Sequence, residues 1–353
     1  MATENKKYIP ALRFPEFQND GEWEADTMET IFDIKNGYTP SKSNPSFWDN
    51  GTIPWFRMED IRKNGHILSD SIQHITPAAV KNAGLFPAYS IIVATTATIG
   101  EHALIIVDSL ANQQFTFLTK RKSFDNKLDM MYFHYFMFII DEWCKRNTNA
   151  GGLLSVNMDS FKKLTIPYPS SLSEQKKIAD CFVSIDKEID ATKRKLELLK
   201  EHKKGLMQRL FPAKGKTTPE LRFPEFQNDG EWIPRPLSDI LNYEQPTPYI
   251  VEDDTYKKEG TPVLTANKGF ILGYTDESFG IYNKLPVIIF DDFTTDKKYV
   301  DFPFKIKSSA IKLLTLKYEE RDNLRFIFEC MNKVLFEEKE HKRYYILLLS
   351  AKN

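Results

Sequence analysis

The twelve residues LRFPEFQNDGEW run from Leu12 to Trp23 and recur, letter for letter, from Leu221 to Trp232, an offset of 209. No other feature constrains this chain as strongly. A period that long excludes a solenoid repeat and points to a duplicated module of about 200 residues. The sequence after each copy differs. After Trp23 come IPWF (53–56), SIIVATTATIG (90–100), HALIIV (102–107) and QFTFLT (114–119). After Trp232 come GTPVLTA (260–266), GFILGY (269–274), KLPVIIFDDFTT (284–295) and KSSAIKLLTL (307–316). Each run is rich in β-branched or aromatic residues and bounded by turn-forming residues, the signature of a strand. Helical segments are expected late in both stretches, over roughly 127–145 and 319–341. The dodecapeptide is repeated and the sequence behind it is not.

Between the two stretches, Ser173–Phe211 reads as one long helix. Counting alternately four and three residues gives Ile178, Phe182, Ile185, Ile189, Thr192, Leu196, Leu199, Lys203, Leu206 and Leu210. All but Thr192 and Lys203 are apolar, which is a coiled-coil seam. Ser171 and Glu174 have the spacing of a capping box, and Pro212 supplies a stop. At about 1.5 Å per residue the helix spans on the order of 55–60 Å. A seam of that length needs another long helix as its partner. The fold class expected is α+β: two β-rich domains, 1–170 and 216–353, joined by a coiled-coil-type helix over 171–215.

Chemistry is sparse. The net charge of −1 gives no global basic field, so nucleic-acid binding would need a local basic surface. The helix supplies one candidate, from Lys176 and Lys177 through Lys193, Arg194 and Lys195 to Arg209. Cys144, Cys181 and Cys330 are too scattered for a disulfide framework or a zinc site. The six histidines form no H-x-x-x-H pair, so no histidine metal site is expected. There is no apolar N-terminal signal, and a cytoplasmic location is expected. Asn44-Pro45-Ser46-Phe47 only superficially matches an amino-methyltransferase loop, and no glycine-rich cofactor loop precedes it. Glu337-Glu338-Lys339, with Asp291 and Asp292, offers a weak nuclease pattern in a charge-rich stretch.

Four further segments carry a resemblance. They are GYTPS (37–41) with FWDNGTIPWFRMEDI (47–61); LFPAYSIIVATTATIG (85–100) with Asn112-Gln113; LTIPYPSSLSEQKKIAD (164–180), which runs into the heptad helix; and LNYEQPTPYIVEDDTY with TPVLTANKGFILGYT and PVIIFDDFTT. Together with the repeated dodecapeptide they resemble the specificity (S) subunit of Type I restriction-modification systems over nearly the whole chain. The resemblance implies two target-recognition domains that each read half of a split site in double-stranded DNA. It implies a helix that sets the spacing and docks modification (M) subunits, with restriction (R) subunits recruited afterwards. It places S-adenosylmethionine, ATP and Mg in those partners, and leaves this chain non-catalytic and without a cofactor or metal.

In that family a second helix follows the second recognition domain. Here the chain is expected to be a truncated variant whose helix lacks an intramolecular partner, with three outcomes open: self-association through its seam, poor recruitment of M subunits, or a silent or recombining allele. Polar residues in turn-rich segments are the candidate DNA contacts. In the first half they are Lys35, Thr39, Ser41, Arg57, Asp60, Thr95, Thr96, Thr98 and Gln113; in the second, Tyr243, Gln245, Thr247, Thr265, Asn267, Lys268, Thr294 and Thr295. Candidate partner-binding residues on the helix are Ile178, Phe182, Ile185, Ile189, Leu196, Leu199, Leu206 and Leu210. The competing readings are a coiled-coil adaptor with two protein-binding β domains and a nuclease using Asp291 and Glu337.

Overall fold

The computed structural model describes residues 8–81, 84–149, 154–267 and 269–332. Lys268, Glu337, Glu338, Lys339 and His341 lie outside the described residues. Two compact units divide the chain, Met1–Leu196 and Glu197–Asn353, and the division falls inside one continuous helix, Leu172–Leu210. No helix among the described residues is long and apolar enough to cross a membrane.

In the first unit the central sheet has five strands, in the order Phe32–Asn36, Phe115–Lys120, Ser90–Ala94, His102–Ile105 and Ile67–Leu68. The run SIIVA is buried throughout, because both faces of the sheet are covered. Successive side chains on a strand point to opposite faces. Ile91 and Val93 therefore join Phe133 and Met137 of the helix Met130–Arg146, while Ile92 and Ala94 join Phe56, Met58 and Ile61 on the other side. Asp129 caps that helix by accepting from the backbone N–H groups of Met131 and Tyr132, which satisfies two of its first-turn donors. A second, small sheet runs His74–Ile75, Ile53–Phe56, Leu110–Ala111, with the last pairing parallel.

The second unit repeats most of this topology with different residues, without a counterpart of the edge strand Ile67–Leu68 among the described residues. Its four-stranded sheet runs Leu241–Glu244, Ile311–Leu316, Val287–Asp291, Lys297–Val300, and its small sheet runs Ile271–Thr275, Thr261–Leu264, Lys305–Ile306. The parallel pair occupies the same place. Ile288 and Phe290 face the helix Leu324–Met331, and Val287 and Ile289 face the small sheet. Short helices at Met28–Ile31 and Leu237–Ile240 stand at the same offset of 209 as the two dodecapeptides. The equivalence is invisible in residue identities. A strand–strand core demands apolar alternation, which many sequences satisfy.

The first dodecapeptide is tied to the start of the long helix. Strand Glu24–Thr27 pairs antiparallel with Thr165–Tyr168, Glu24 lying opposite Tyr168. Arg13 Nε and Nη2 donate to the two oxygens of Glu174 at 2.8 and 2.6 Å, and Trp23 Nε1 donates to Glu174 Oε1 at 3.4 Å. The Glu174 side chain is 1% exposed and that of Arg13 10%. The capping-box expectation is corrected here. Ser171 Oγ accepts from the Glu174 N–H at a long 3.5 Å, and the Glu174 carboxylate turns to Arg13 and Trp23 instead. A bidentate guanidinium outcompetes one backbone N–H for a buried carboxylate. After the second dodecapeptide, Ile233–Pro236 forms no strand pairing among the described residues.

Three histidines that no sequence spacing connects meet beside the helix Met130–Arg146. Ring centroids lie 5.6 Å apart for His66 and His102 and 5.3 Å for His102 and His134, with Phe138 against them. Burial, with His66 nearby, pushes His102 down to about 4; burial, with His102 nearby, pushes His134 down to about 3. Among the described residues no cluster of His, Cys, Asp and Glu has the arrangement of a metal site. Burial also pushes the Cys144 thiol up to about 12, which makes it a packing residue.

Glu174→Gln leaves Arg13 beside a neutral partner, and should destabilise the chain by roughly 2–4 kcal/mol in urea unfolding. The histidines predict a pH dependence. An unfolded histidine titrates near 6.5, so on acidification the unfolded chain takes up protons that folded His102 and His134 refuse. Stability should therefore fall as the pH drops from about 6.5 toward 4. In His134→Phe the melting temperature should fall less between pH 7 and pH 5 than in the parent chain.

Candidate nucleic-acid interface

In the first unit, loops from both sheets gather at one end. Gly37 makes the gathering possible. A Cβ there would lie 2.3 Å from the Ala111 carbonyl oxygen and 2.6 Å from that of Asn112, so the chain after strand Phe32–Asn36 can lie directly on the 111–114 loop. Thr39 then donates to Gln113 Oε1 at 2.5 Å. The Asn112 N–H donates to the carbonyl of Phe56, which sets the residue after it, Arg57, beside the same loop. The side chain of Asn36 accepts from Thr116 Oγ1 at 2.8 Å, and Thr116 is bonded to Thr95 at 3.0 Å. Asn36 and Thr96 line a cleft of about 360 Å³ with Asn149, Ser155 and Asn157.

Lys35, Thr39, Ser41, Arg57, Thr96, Thr98 and Gln113 all present side chains that are exposed or half-buried at these loops. Lys35 is ion-paired with Asp33 at 2.6 Å, and Arg57 with Glu59 at 3.1 Å, its guanidinium also 5.9 Å from the Trp55 ring. Asp60 and Thr95 are corrected. Asp60 is fully buried and accepts from the backbone N–H groups of Arg57 and Ile72 at 2.7 and 2.6 Å, and Thr95 is buried against Thr116. Both carry internal hydrogen bonds and have no surface to offer a base edge. Sequence reasoning passed over Asn36, Asn149, Ser155 and Asn157. Their convergence depends on contacts between distant segments, and only the asparagines' turn-forming character was visible.

The second unit sends loops from the equivalent strand ends. Tyr243, Gln245, Thr247, Asn267 and Thr294 are exposed and Thr295 is half-buried. Thr265 is corrected for the same reason as Thr95: it is buried, and its N–H donates to the carbonyl of Phe270. Asp291 accepts from the backbone N–H groups of Phe293 and Thr294 at 2.8 and 3.0 Å, which holds the turn that carries Thr294 and Thr295 (φ +60°). Asp292 pairs with Lys312 at 3.2 Å. Both aspartates are thus engaged as turn and strand-end partners. Behind this surface Lys305, fully buried, pairs with Glu277 at 2.5 Å and donates to the Phe279 carbonyl at 2.9 Å. The ion pair with Lys305 and backbone N–H donors hold the Glu277 carboxyl below its ordinary range.

A family profile described as "Type I restriction modification DNA specificity domain" matches residues 20–201. The chain belongs to this family. The Type I restriction enzyme EcoprrI specificity subunit of Escherichia coli is 49% identical over 152 residues, which cover 43% of this chain and 38% of that protein. The MjaIX specificity subunit of Methanocaldococcus jannaschii is 23% identical over 345 residues, covering 92% of this chain and 76% of the relative. The fold is similar to the crystal structure of the S subunit from M. genitalium, with a TM-score of 0.55 at 15% identity over 89% of this chain and 78% of that one.

The specificity-family helix shows its seam in two states. Ile178 packs on the core of the first unit, and Leu206 and Leu210 are half-buried. Phe182, Ile185, Ile189, Leu196 and Leu199 form an exposed apolar stripe. The interruption at Lys203 is explained by an ion pair with Glu329 at 2.8 Å. Gly37 gives the interface its own test. Gly37→Ala should push the 37–43 loop off the 111–114 loop and weaken DNA binding at least tenfold in a fluorescence-anisotropy titration. Most of the circular-dichroism signal should be retained.

Proposed function

We propose that this chain is the sequence-specificity subunit of a Type I restriction-modification complex, reading a bipartite site in double-stranded DNA. One observation carries the reading: two units of the same topology send different side chains from the same strand ends. Base edges in the major groove differ in their donors and acceptors, so two half-sites need two sets of readers on a common frame. The reading residues are Lys35, Thr39, Ser41, Arg57, Thr96, Thr98 and Gln113 in one unit and Tyr243, Gln245, Thr247, Asn267, Thr294 and Thr295 in the other. Lys35 and Arg57 supply charge for phosphate or guanine contacts.

Residues 171–215 form the spacer that sets the separation of the half-sites, between recognition domains 1–170 and 216–353. The stripe Phe182–Leu199 docks modification subunits, because an apolar helix face of that length is stabilised by another helix. Restriction subunits join that assembly. Methyl transfer from S-adenosylmethionine and ATP-driven cleavage belong to those partners, in the cytoplasm, and this chain contributes recognition alone. The same stripe supports the adaptor reading, and a self-associated form of this chain, where no modification subunit is present.

Adenine-methylation mapping in cells that hold the modification subunit and this chain as the sole specificity subunit tests the proposal. A bipartite methylated motif is expected, and the absence of any motif would refute it. Arg57→Ala should weaken binding of the assembled complex by roughly 1–3 kcal/mol. Binding should also fall steeply with salt, whereas a protein-binding adaptor would show no DNA affinity to lose.

A further inference from the structure

The cleft of about 360 Å³ in the first unit is lined by amides, hydroxyls and the Asp159 carboxylate, without a lysine or arginine. Asn36 ends the strand Phe32–Asn36, and Thr95 and Thr96 follow the strand Ser90–Ala94. The segment 155–157 is stitched to them: Val156 N–H donates to the Thr95 carbonyl at 2.9 Å, and Ser155 forms an antiparallel bridge with Thr96. A phosphate in this cleft would face Asp159 with no cation to offset the repulsion. The edge of a base carries no net charge and suits the cleft better.

Two buried hydroxyls fix which way the Asn36 amide faces. Thr95 and Thr116 are both buried. Thr116 Oγ1 lies 2.8 Å from Asn36 Oδ1 and 3.0 Å from Thr95 Oγ1. Each hydroxyl has one hydrogen to donate. The Thr95 hydroxyl has no other partner among the described residues, so its hydrogen goes to Thr116, and the Thr116 hydrogen goes to Asn36 Oδ1. Turning the amide over would set Nδ2 against Thr116, drive the Thr116 hydrogen back onto Thr95, and leave the Thr95 hydrogen buried without an acceptor, which folded proteins avoid. The Asn36 oxygen is therefore engaged inside the protein, and Nδ2 is left with its N–H donors for the cleft. Asn157 is fixed in the same sense. Its Oδ1 accepts from the Ser160 N–H at 3.0 Å, and a backbone N–H can face only the oxygen of an amide.

The second unit differs at the matching place. Gln245 stands at the offset of 209 from Asn36. It is exposed, and its amide has no hydrogen-bond partner among the described residues. Gln245 can present oxygen and nitrogen together, whereas Asn36 cannot.

We infer that Asn36 is a specificity-determining residue that reads guanine, acting as a donor only, with Thr116 and Thr95 as the positioning residues behind it. This rests on the DNA-reading function proposed above and names one base contact within it. An asparagine reads adenine by accepting from N6 while donating to N7, so it needs both ends of its amide. Asn36 has one end free. Guanine presents two acceptors, N7 and O6, on its major-groove edge, and no other base does. The donors of Asn36 and Asn157 match that pair of acceptors. The cytosine paired with the guanine offers an amino group, for which Asp159 is an acceptor. Thr95, though buried, thus contributes to recognition without touching the DNA.

The test is adenine-methylation mapping in cells that hold the modification subunit and the full chain. In the parent, one half of the motif should require a guanine, with adenine at that position disfavoured about tenfold or more. Thr116→Val keeps the shape of the buried side chain and removes the hydroxyl that holds the Asn36 oxygen. Both ends of the amide then become available, and methylation of adenine-bearing sites should rise to within about threefold of guanine-bearing ones. The other half of the motif should stay unchanged. A loss of stability would lower both classes of site alike, so their ratio reports the amide. Asn36→Asp, which offers acceptors alone, should abolish the preference for guanine at the same position. A parent that methylates no motif would remove the recognition reading and this inference together. A parent motif with no guanine in either half, or a guanine requirement that survives either substitution, would overturn this inference and leave the recognition reading standing.

Discussion

The Arg13–Glu174 ion pair joins residues 161 apart and determines where the first unit closes and the long helix begins. A guanidinium and a carboxylate this deeply buried each lose their hydration, a loss tolerated only when the pairing is bidentate and the remaining polar atoms are satisfied. Here Trp23 takes one further position on the carboxylate, and two backbone carbonyls take the other edge of Arg13. The adjoining strand pair, Glu24–Thr27 with Thr165–Tyr168, shares the register that makes this geometry possible. The helix therefore leaves the first unit with its opening turn held. The stripe from Phe182 onward projects from a fixed start.

Beyond that clasp, both units solve one packing problem in one way. A sheet covered on both faces buries every position of its central strand and fills most of them with apolar residues, as in SIIVA and VIIFD. Such strands have no side chains to spare for recognition. The strand ends and the loops that follow carry that task, and contacts made to the loops' backbone help hold them in place. Gly37 against Ala111 and Asp291 under its turn are two such devices. This division lets the exposed residues differ between the units while the frame beneath them stays the same.

Much of this was legible in the chain itself. The repeated dodecapeptide announced two modules, the 4-3 spacing announced the helix to within a residue or two, and most strands fell where β-branched runs lie between turn residues. The candidate interface was legible only in part. Lys35, Thr39, Arg57 and Gln113 were marked as polar residues beside turns, and they lie at the gathered loops. Asp60, Thr95 and Thr265 looked the same in sequence but are buried, because a polar residue that satisfies a strand end is indistinguishable by type from one that faces solvent. Glu174 had the spacing of a cap, and a partner 161 residues away redirected it. The approach of His66, His102 and His134 has no sequence spacing at all.

Local order by itself determined the repeat, the heptad seam and the strand periodicity, since each depends on neighbours within a few residues along the chain. Tertiary structure decided the shared topology of two unlike sequences, the burial of individual polar side chains, and the clasp of Glu174 by the Arg13 of the first dodecapeptide. Those depend on which distant segments meet, and identical residues at 12–23 and 221–232 acquire different surroundings only once the chain has folded.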